Sequence, residues 1–156
     1  MKQIHVLFVC LGNICRSPMA EAVFRHLVHE RGLDQQIMTD SAGTGDWHIG
    51  KQPHEGTRGI LDTYQISYEG MKARQFSDHD FNGFDYIVCM DNNNLRDVKN
   101  IPGSQQHSHM IRFMDLLPEE NEENVPDPYY TGNFEEVYRL VSTGCVRLLD
   151  QIQHSA

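Results

Sequence analysis

The stretch that most constrains this chain is residues 4–32, where "IHVLFV" runs through "CLGNICRS" into "PMAEAVFRHLVHERG". The first part is short, apolar and rich in β-branched residues, which predicts a buried strand over residues 4–10. In the last part Ala20, Val23, Phe24, Leu27 and Val28 recur at helical spacing, with Ser17 and Pro18 as expected N-cap and first helical residue and Gly32 as the stop. A buried strand feeding a helix through a short loop is the opening unit of a parallel α/β sheet. In such sheets ligands sit at the carboxyl ends of the strands. Cys10 is at that end.

Further along, residues 37–42, 84–90 and 110–114 read as strands, and residues 55–64 and 92–100 as helices. "TGDWHIGKQPHEGT" is a Gly/Pro-rich loop, and residues 118–133, "PEENEENVPDPYYTGN", form a long acidic one. Within it "EENEE" is expected to be a solvated face. Asn133 and Glu136 have capping-box spacing before a last helix, whose apolar side is Phe134, Val137, Tyr138, Val141, Cys145, Leu148, Leu149 and Ile152. One domain over residues 1–156 is expected, a three-layer α/β arrangement with helices on both faces of a parallel sheet.

The loop at 10–17 has the chemistry of an anion site. Successive amides at a helix N-terminus bind phosphate-like groups. Gly12 permits close approach, Asn13 tolerates a left-handed backbone, and Arg16 offers a planar fork for two oxygens. The same positive field favours the ionised form of a thiol, so Cys10 is expected to attack phosphorus and form a phosphocysteine. Arg16 and the loop amides, including those of Leu11, Ile14 and Cys15, would stabilise the transition state without a metal or other cofactor. A zinc site on Cys10 and Cys15 would need four ligands with paired short spacings, and no second Cys/His pair partners this one. Cys89 and Cys145 sit in apolar segments and read as core. The leaving group needs an acid. Asp127, fixed between Pro126 and Pro128 and followed by Tyr129 and Tyr130, is the candidate, acting afterwards as a base toward water.

Charge and hydropathy narrow the partners. With 13 basic and 22 acidic residues the net charge is −9, and no dense basic patch suggests nucleic acid or an anionic membrane. The longest unbroken apolar stretch, Val6–Leu11, is too short to span a bilayer. No secretory signal pattern opens the chain, so a cytoplasmic location and a monomer or weakly self-associating state are expected.

"VLFVCLGNICRSPMAEAVF" together with "DPYYTGNFEEVY" closely resembles the low-molecular-weight protein tyrosine phosphatases. "DSAGTGDW", "PHEGTRGIL" and "FDYIVCMD" extend the likeness over essentially the whole chain. The resemblance implies a flavodoxin-like fold with a four-stranded parallel sheet. It implies phosphotyrosine hydrolysis with Cys10 as nucleophile, Arg16 as phosphate clamp and Asp127 as acid then base. It further implies that Asn13 and Ser41 hold the loop, that Ser17 tunes the Cys10 thiolate, and that Trp47 faces Tyr129 and Tyr130 across a deep aromatic slot. Phosphotyrosine is long enough for that slot and phosphoserine is not. The expected partner is a phosphotyrosine-containing protein or peptide. A tyrosine kinase acting on Tyr129 or Tyr130 is a second implied partner. Animal members carry a histidine supporting the loop asparagine where this chain has Met71. Related arginine phosphatases tend to have threonine at the position of Ile14 and phenylalanine at that of Tyr129, so both residues favour tyrosine as substrate. Arsenate reductases share the loop but need relay cysteines in a mobile segment. A non-catalytic phosphoprotein-binding module is the remaining alternative. Cys15, near Cys10 on the folded loop, is a candidate disulfide partner protecting the nucleophile from over-oxidation. His107 and His109 are expected in solvent without a role.

Overall fold

A computed structural model describes residues 3–107 and 109–155. Its strands are β1 (Ile4–Cys10), β2 (Ile37–Gly43), β3 (Tyr86–Cys89) and β4 (Met110–Arg112). Its helices are α1 (Arg16–Glu30), α2 (Glu55–Thr63), α3 (Asp80–Gly83), α4 (Asn92–Lys99), α5 (Pro128–Thr131) and α6 (Phe134–Ser155). The strands form one parallel sheet in the order β2-β1-β3-β4.

β1 is hydrogen-bonded on both edges, which explains its unbroken apolar sequence: both of its faces are buried. Val6, Phe8 and Cys10 point into a large core shared with α1 and α6. Leu7 and Val9 point the other way, toward Phe76, Phe81 and Val98 beside α3 and α4. Helices therefore cover both faces of the sheet, the three-layer arrangement read from the sequence. Cys89 in β3 and Cys145 in α6 are wholly buried, as expected for core thiols.

Two local features differ from the sequence reading. α1 starts one residue before Ser17, so Cys15 occupies the cap position without a side-chain hydrogen bond, and the Ser17 hydroxyl is free for the site. Pro18 remains compatible, because first-turn N–H groups have no intrahelical acceptor. The strand expected to end at residue 114 stops at Arg112, and Phe113–Leu116 turns into a 3₁₀ segment. The acidic stretch 119–123 is solvated as expected, with Glu119, Asn121, Glu122 and Glu123 exposed. Its Glu119 and Glu120 pair with Arg147 and Arg139 of α6, and residues 128–131 coil into α5. The loop's far end returns to the end of β3, where Val125 N–H donates to the Met90 carbonyl at 2.9 Å.

Other signals hold in full or in part. Gly32 ends α1 at φ +69°, with Leu33 N–H donating to the Val28 carbonyl at 2.9 Å, a Schellman closure. Asn133 Oδ1 accepts from Glu136 N–H at 3.1 Å, but the Glu136 carboxylate turns to Arg139 instead of completing the box. His107 is not simply solvated: it is half-buried, with Nε2 2.7 Å from the Phe84 carbonyl. His109 is exposed and stacks on Tyr86.

Candidate active site

The site lies where β1 ends. The chain leaves the sheet at Cys10 and folds through residues 11–15 before entering α1. The left-handed residue of this loop is Asn13, at φ +58°; Gly12 serves instead by leaving room for the His48 ring, whose Cδ2 would lie 3.0 Å from a Cβ there. Gly43 of β2 is needed as well, since a Cβ would come within 2.8 Å of the Leu11 carbonyl oxygen. His54 N–H donates to the Ile14 carbonyl at 2.7 Å and Thr57 Oγ1 to the Cys15 carbonyl at 3.1 Å, so the start of α2 braces the loop.

Asn13 uses its whole amide. Nδ2 donates to Ser17 Oγ at 2.8 Å and to Ser41 Oγ at 2.9 Å, while Oδ1 accepts from Arg74 N–H at 2.9 Å. The Arg74 backbone thus stands in the role that the resemblance gave to a histidine, and Met71 is buried in the large core. Because Ser17 Oγ accepts from Asn13, its own hydrogen is available to Cys10 Sγ, 3.0 Å away. Asn13 N–H also points at that sulfur, at 3.3 Å. Ser41 Oγ accepts from Asn13 and donates to the buried Glu21 at 2.6 Å. Burial, with some help from Asp40, raises the Glu21 carboxyl from its ordinary range to about 7, against the pull of the Ser41 hydrogen bond.

Arg16, the first residue of α1, is only 3% exposed. Its Nη1 donates to Asp91 Oδ2 at 2.7 Å and to the Val125 carbonyl at 3.0 Å, and its Nη2 lies 3.4 Å from Asp127 Oδ2. Asp91 follows the third strand and also caps α4 through Asn94 N–H. Asp127 caps α5, with Oδ1 accepting from Tyr129 N–H at 3.1 Å. One oxygen of Asp127 is thus tied to its own helix, and the other faces the guanidinium.

Cys10, Leu11, Gly12, Ile14, Cys15, Arg16 and Asp127 line one cavity of about 420 Å³. Trp47, His48, Tyr129 and Tyr130 complete its wall. The sulfur is buried at the bottom, whereas Trp47 and Tyr130 are 64% and 77% exposed at the rim. Asn13, Ser17 and Ser41 lie behind the loop instead of lining the cavity. The Cys15 thiol is pushed up to about 12, first by burial and then by its neighbours Cys10 and Asp127, so it stays protonated beside the nucleophile candidate. The sequence reading missed Asp91, Glu21, His48 and the Arg74 amide. Only Asp91 carried a usable signal, an acid at the carboxyl end of a parallel strand.

Comparison with known proteins agrees with this geometry. The sequence profile of the low molecular weight phosphotyrosine protein phosphatases matches residues 5–156. The low molecular weight protein-tyrosine-phosphatase YfkJ of Bacillus subtilis is 55% identical over 150 residues, covering 96% of each chain. Its crystal structure superimposes with a TM-score of 0.96, over 99% of this chain and 98% of that one, at 53% identity. PtpA of Staphylococcus epidermidis, also named as such a phosphatase, is 46% identical over 98% of this chain and 96% of its own. The crystal structure of SP-PTP from Streptococcus pyogenes gives a TM-score of 0.84 at 43% identity, covering 97% of this chain and 93% of that one. With a profile spanning nearly every residue and relatives matched end to end, the chain belongs to the low molecular weight phosphotyrosine protein phosphatase family.

Proposed function

We propose that this chain, a protein-tyrosine-phosphatase by family, acts as one domain and hydrolyses phosphotyrosine in proteins or peptides through a phosphocysteine on Cys10. In the first step Cys10 Sγ attacks phosphorus and the bond from phosphorus to the tyrosyl oxygen breaks. Asp127, protonated, gives its proton to the departing phenolate. In the second step water attacks phosphorus, Asp127 takes a proton from it, and the S–P bond breaks to return the thiolate and release inorganic phosphate. Arg16 binds two phosphate oxygens, and the amides of residues 11–16 hold the rest of the charge. The arriving phosphate competes with Asp127 for Arg16 Nη2, which releases the carboxyl group toward the leaving oxygen.

The observation that carries this reading is the convergence of Cys10, Arg16 and Asp127 on one cavity whose walls are Trp47, Tyr129 and Tyr130. The depth of the sulfur below those rings favours a long aryl phosphate over phosphoserine. Ile14 and Tyr129 favour phosphotyrosine over phosphoarginine. An arsenate-reducing relay is disfavoured because Cys89 and Cys145 are inside the core. Free thiols at all four cysteines suit a reducing cytoplasm, where we place the protein. Among the described residues, no helix is long and apolar enough to cross a membrane. Cys15 is the proposed resolving thiol: a sulfenic acid on Cys10 would condense with it to a disulfide and release water. Equal thiol recovery of peroxide-inactivated wild type and Cys15→Ala would remove that role.

The test of the function is a panel of phosphotyrosine, phosphoserine and phosphoarginine peptides assayed with EDTA present. Phosphotyrosine turnover that persists with chelator and vanishes in Cys10→Ser is expected. Preference for phosphoarginine, loss of turnover on chelation, or binding without turnover would each overturn the reading.

A further inference from the structure

A second groove opens beside the catalytic cavity. Ile14, His48 and Tyr129 line both, so the two make one continuous depression. Past this shared wall the groove is lined by Lys51, His54 and Arg58, and Glu55 is the one carboxylate among its lining residues. In a chain of net charge −9, this local excess of positive charge is notable for its position.

The cations are left available. Arg31, Arg74, Arg112, Arg139 and Arg147 each have a carboxylate within ion-pair distance. Among the described residues neither Lys51 nor Arg58 has one. Arg58 is nonetheless held in place: its Nε donates to the Pro53 carbonyl at 2.9 Å and its backbone N–H to the His54 carbonyl at 2.9 Å. That leaves the two terminal nitrogens, the pair that fits a carboxylate or phosphate. Lys51 Nζ is 3.3 Å from His48 Nδ1, on the shared wall. The His54 ring is fixed by stacking on Phe134 at 5.3 Å, and its Nδ1 accepts from Gly56 N–H at 3.0 Å. The neutral ring therefore carries its hydrogen on Nε2, a further donor.

We propose that this groove is a specificity subsite for an anionic side chain close to the phosphotyrosine in the same substrate, an Asp, a Glu or a second phosphorylated residue. The inference rests on the phosphotyrosine phosphatase reading above. Continuity with the cavity supplies the argument for one molecule filling both: with the aryl phosphate between Trp47 and Tyr129, the peptide emerges at the rim, and its neighbouring side chains meet Lys51 and Arg58. These residues touch no reacting atom, so their effect is on binding.

The test compares phosphotyrosine peptides in which one Asp is moved stepwise along either side of the phosphotyrosine, a doubly phosphorylated peptide, and an all-alanine-flanked control. Wild type, Lys51→Gln, Arg58→Gln and the double variant are assayed, with para-nitrophenyl phosphate as a substrate too small to reach the groove. At low ionic strength the best-placed anion should raise kcat/KM roughly three- to tenfold, through KM, as expected for one or two partly exposed charge pairs. Salt should erase the gain, as should the double variant, with para-nitrophenyl phosphate turnover unchanged in every protein. The Asp series and the doubly phosphorylated peptide tell which anion is preferred. An equal kcat/KM for all peptides, or a preference that survives in the double variant, overturns the subsite while leaving the phosphatase reading intact. Absence of phosphotyrosine turnover in wild type would instead refute the reading on which it rests.

Discussion

Replacing Asn13 by alanine removes the residue that holds the loop from behind. The backbone at φ +58° is tolerated by asparagine and costs alanine roughly 1 kcal/mol. Deleting the amide leaves the Arg74 N–H without its acceptor and strips one donor each from Ser17 and Ser41, both buried. An orphaned buried donor costs about 1–3 kcal/mol. Together the loss of stability should be about 3 kcal/mol, a large part of the 5–15 kcal/mol typical of a domain. Asn13→Gly deletes the same hydrogen bonds but relieves the backbone, so it should fall between wild type and Asn13→Ala. The Ser17 hydroxyl, no longer oriented, would also cease to point its hydrogen at Cys10, and kcat for an aryl phosphate should fall roughly tenfold or more, as for modest misplacement of a reacting group. Urea unfolding and steady-state kinetics measure the two effects. A destabilisation below about 0.5 kcal/mol, the range of an ordinary surface change, would refute the reasoning.

Glu21→Gln should flatten the pH dependence of stability. A carboxyl raised to about 7 in the folded protein binds more protons folded than unfolded between its ordinary range and pH 7, so wild-type stability falls as pH rises through that window. The loss should reach about 3 kcal/mol by pH 8, at about 1.4 kcal/mol per pH unit, and urea midpoints across pH 5–8 should show it in wild type but not in the variant. Asp127→Asn should slow phosphotyrosine hydrolysis by about 10²-fold or more, the lower end expected for a lost general acid, with a smaller effect on a phosphate ester whose leaving group needs no proton. Gly144→Ala should lower Tm, since a Cβ there would meet Phe113 Cζ at 2.3 Å, and overpacking of this kind costs roughly 1–3 kcal/mol. Iodoacetate should label Cys10 alone at neutral pH, because Cys15 remains protonated and Cys89 and Cys145 are inside the core; peptide mapping reads the site.

The strand, loop and helix at residues 4–32 were legible because each rests on local chemistry: an apolar run, a left-handed Asn and a glycine stop. Cys10, Arg16 and Asp127 were legible because unusual residue types stand at constrained places, a strand end and a Pro-Asp-Pro step. The partners behind them were not. Glu21 and Ser41 come from different elements and meet only through packing, and Arg74 contributes a backbone amide, which leaves no trace in its side-chain identity. The partners of the acidic loop were hidden for a similar reason. Its glutamates are solvated, as the sequence suggests, but the arginines that Glu119 and Glu120 meet lie on α6, and that pairing exists only once the loop is folded back.

The central claim is a covalent one, so the direct measurement is rapid acid quench of the enzyme turning over phosphotyrosine peptide, followed by mass spectrometry. One phosphoryl group should be found on Cys10, should accumulate in Asp127→Asn when leaving-group departure needs no proton, and should be missing from Cys10→Ser. Phosphate on any other residue, or undiminished turnover in Cys10→Ser, would contradict the account.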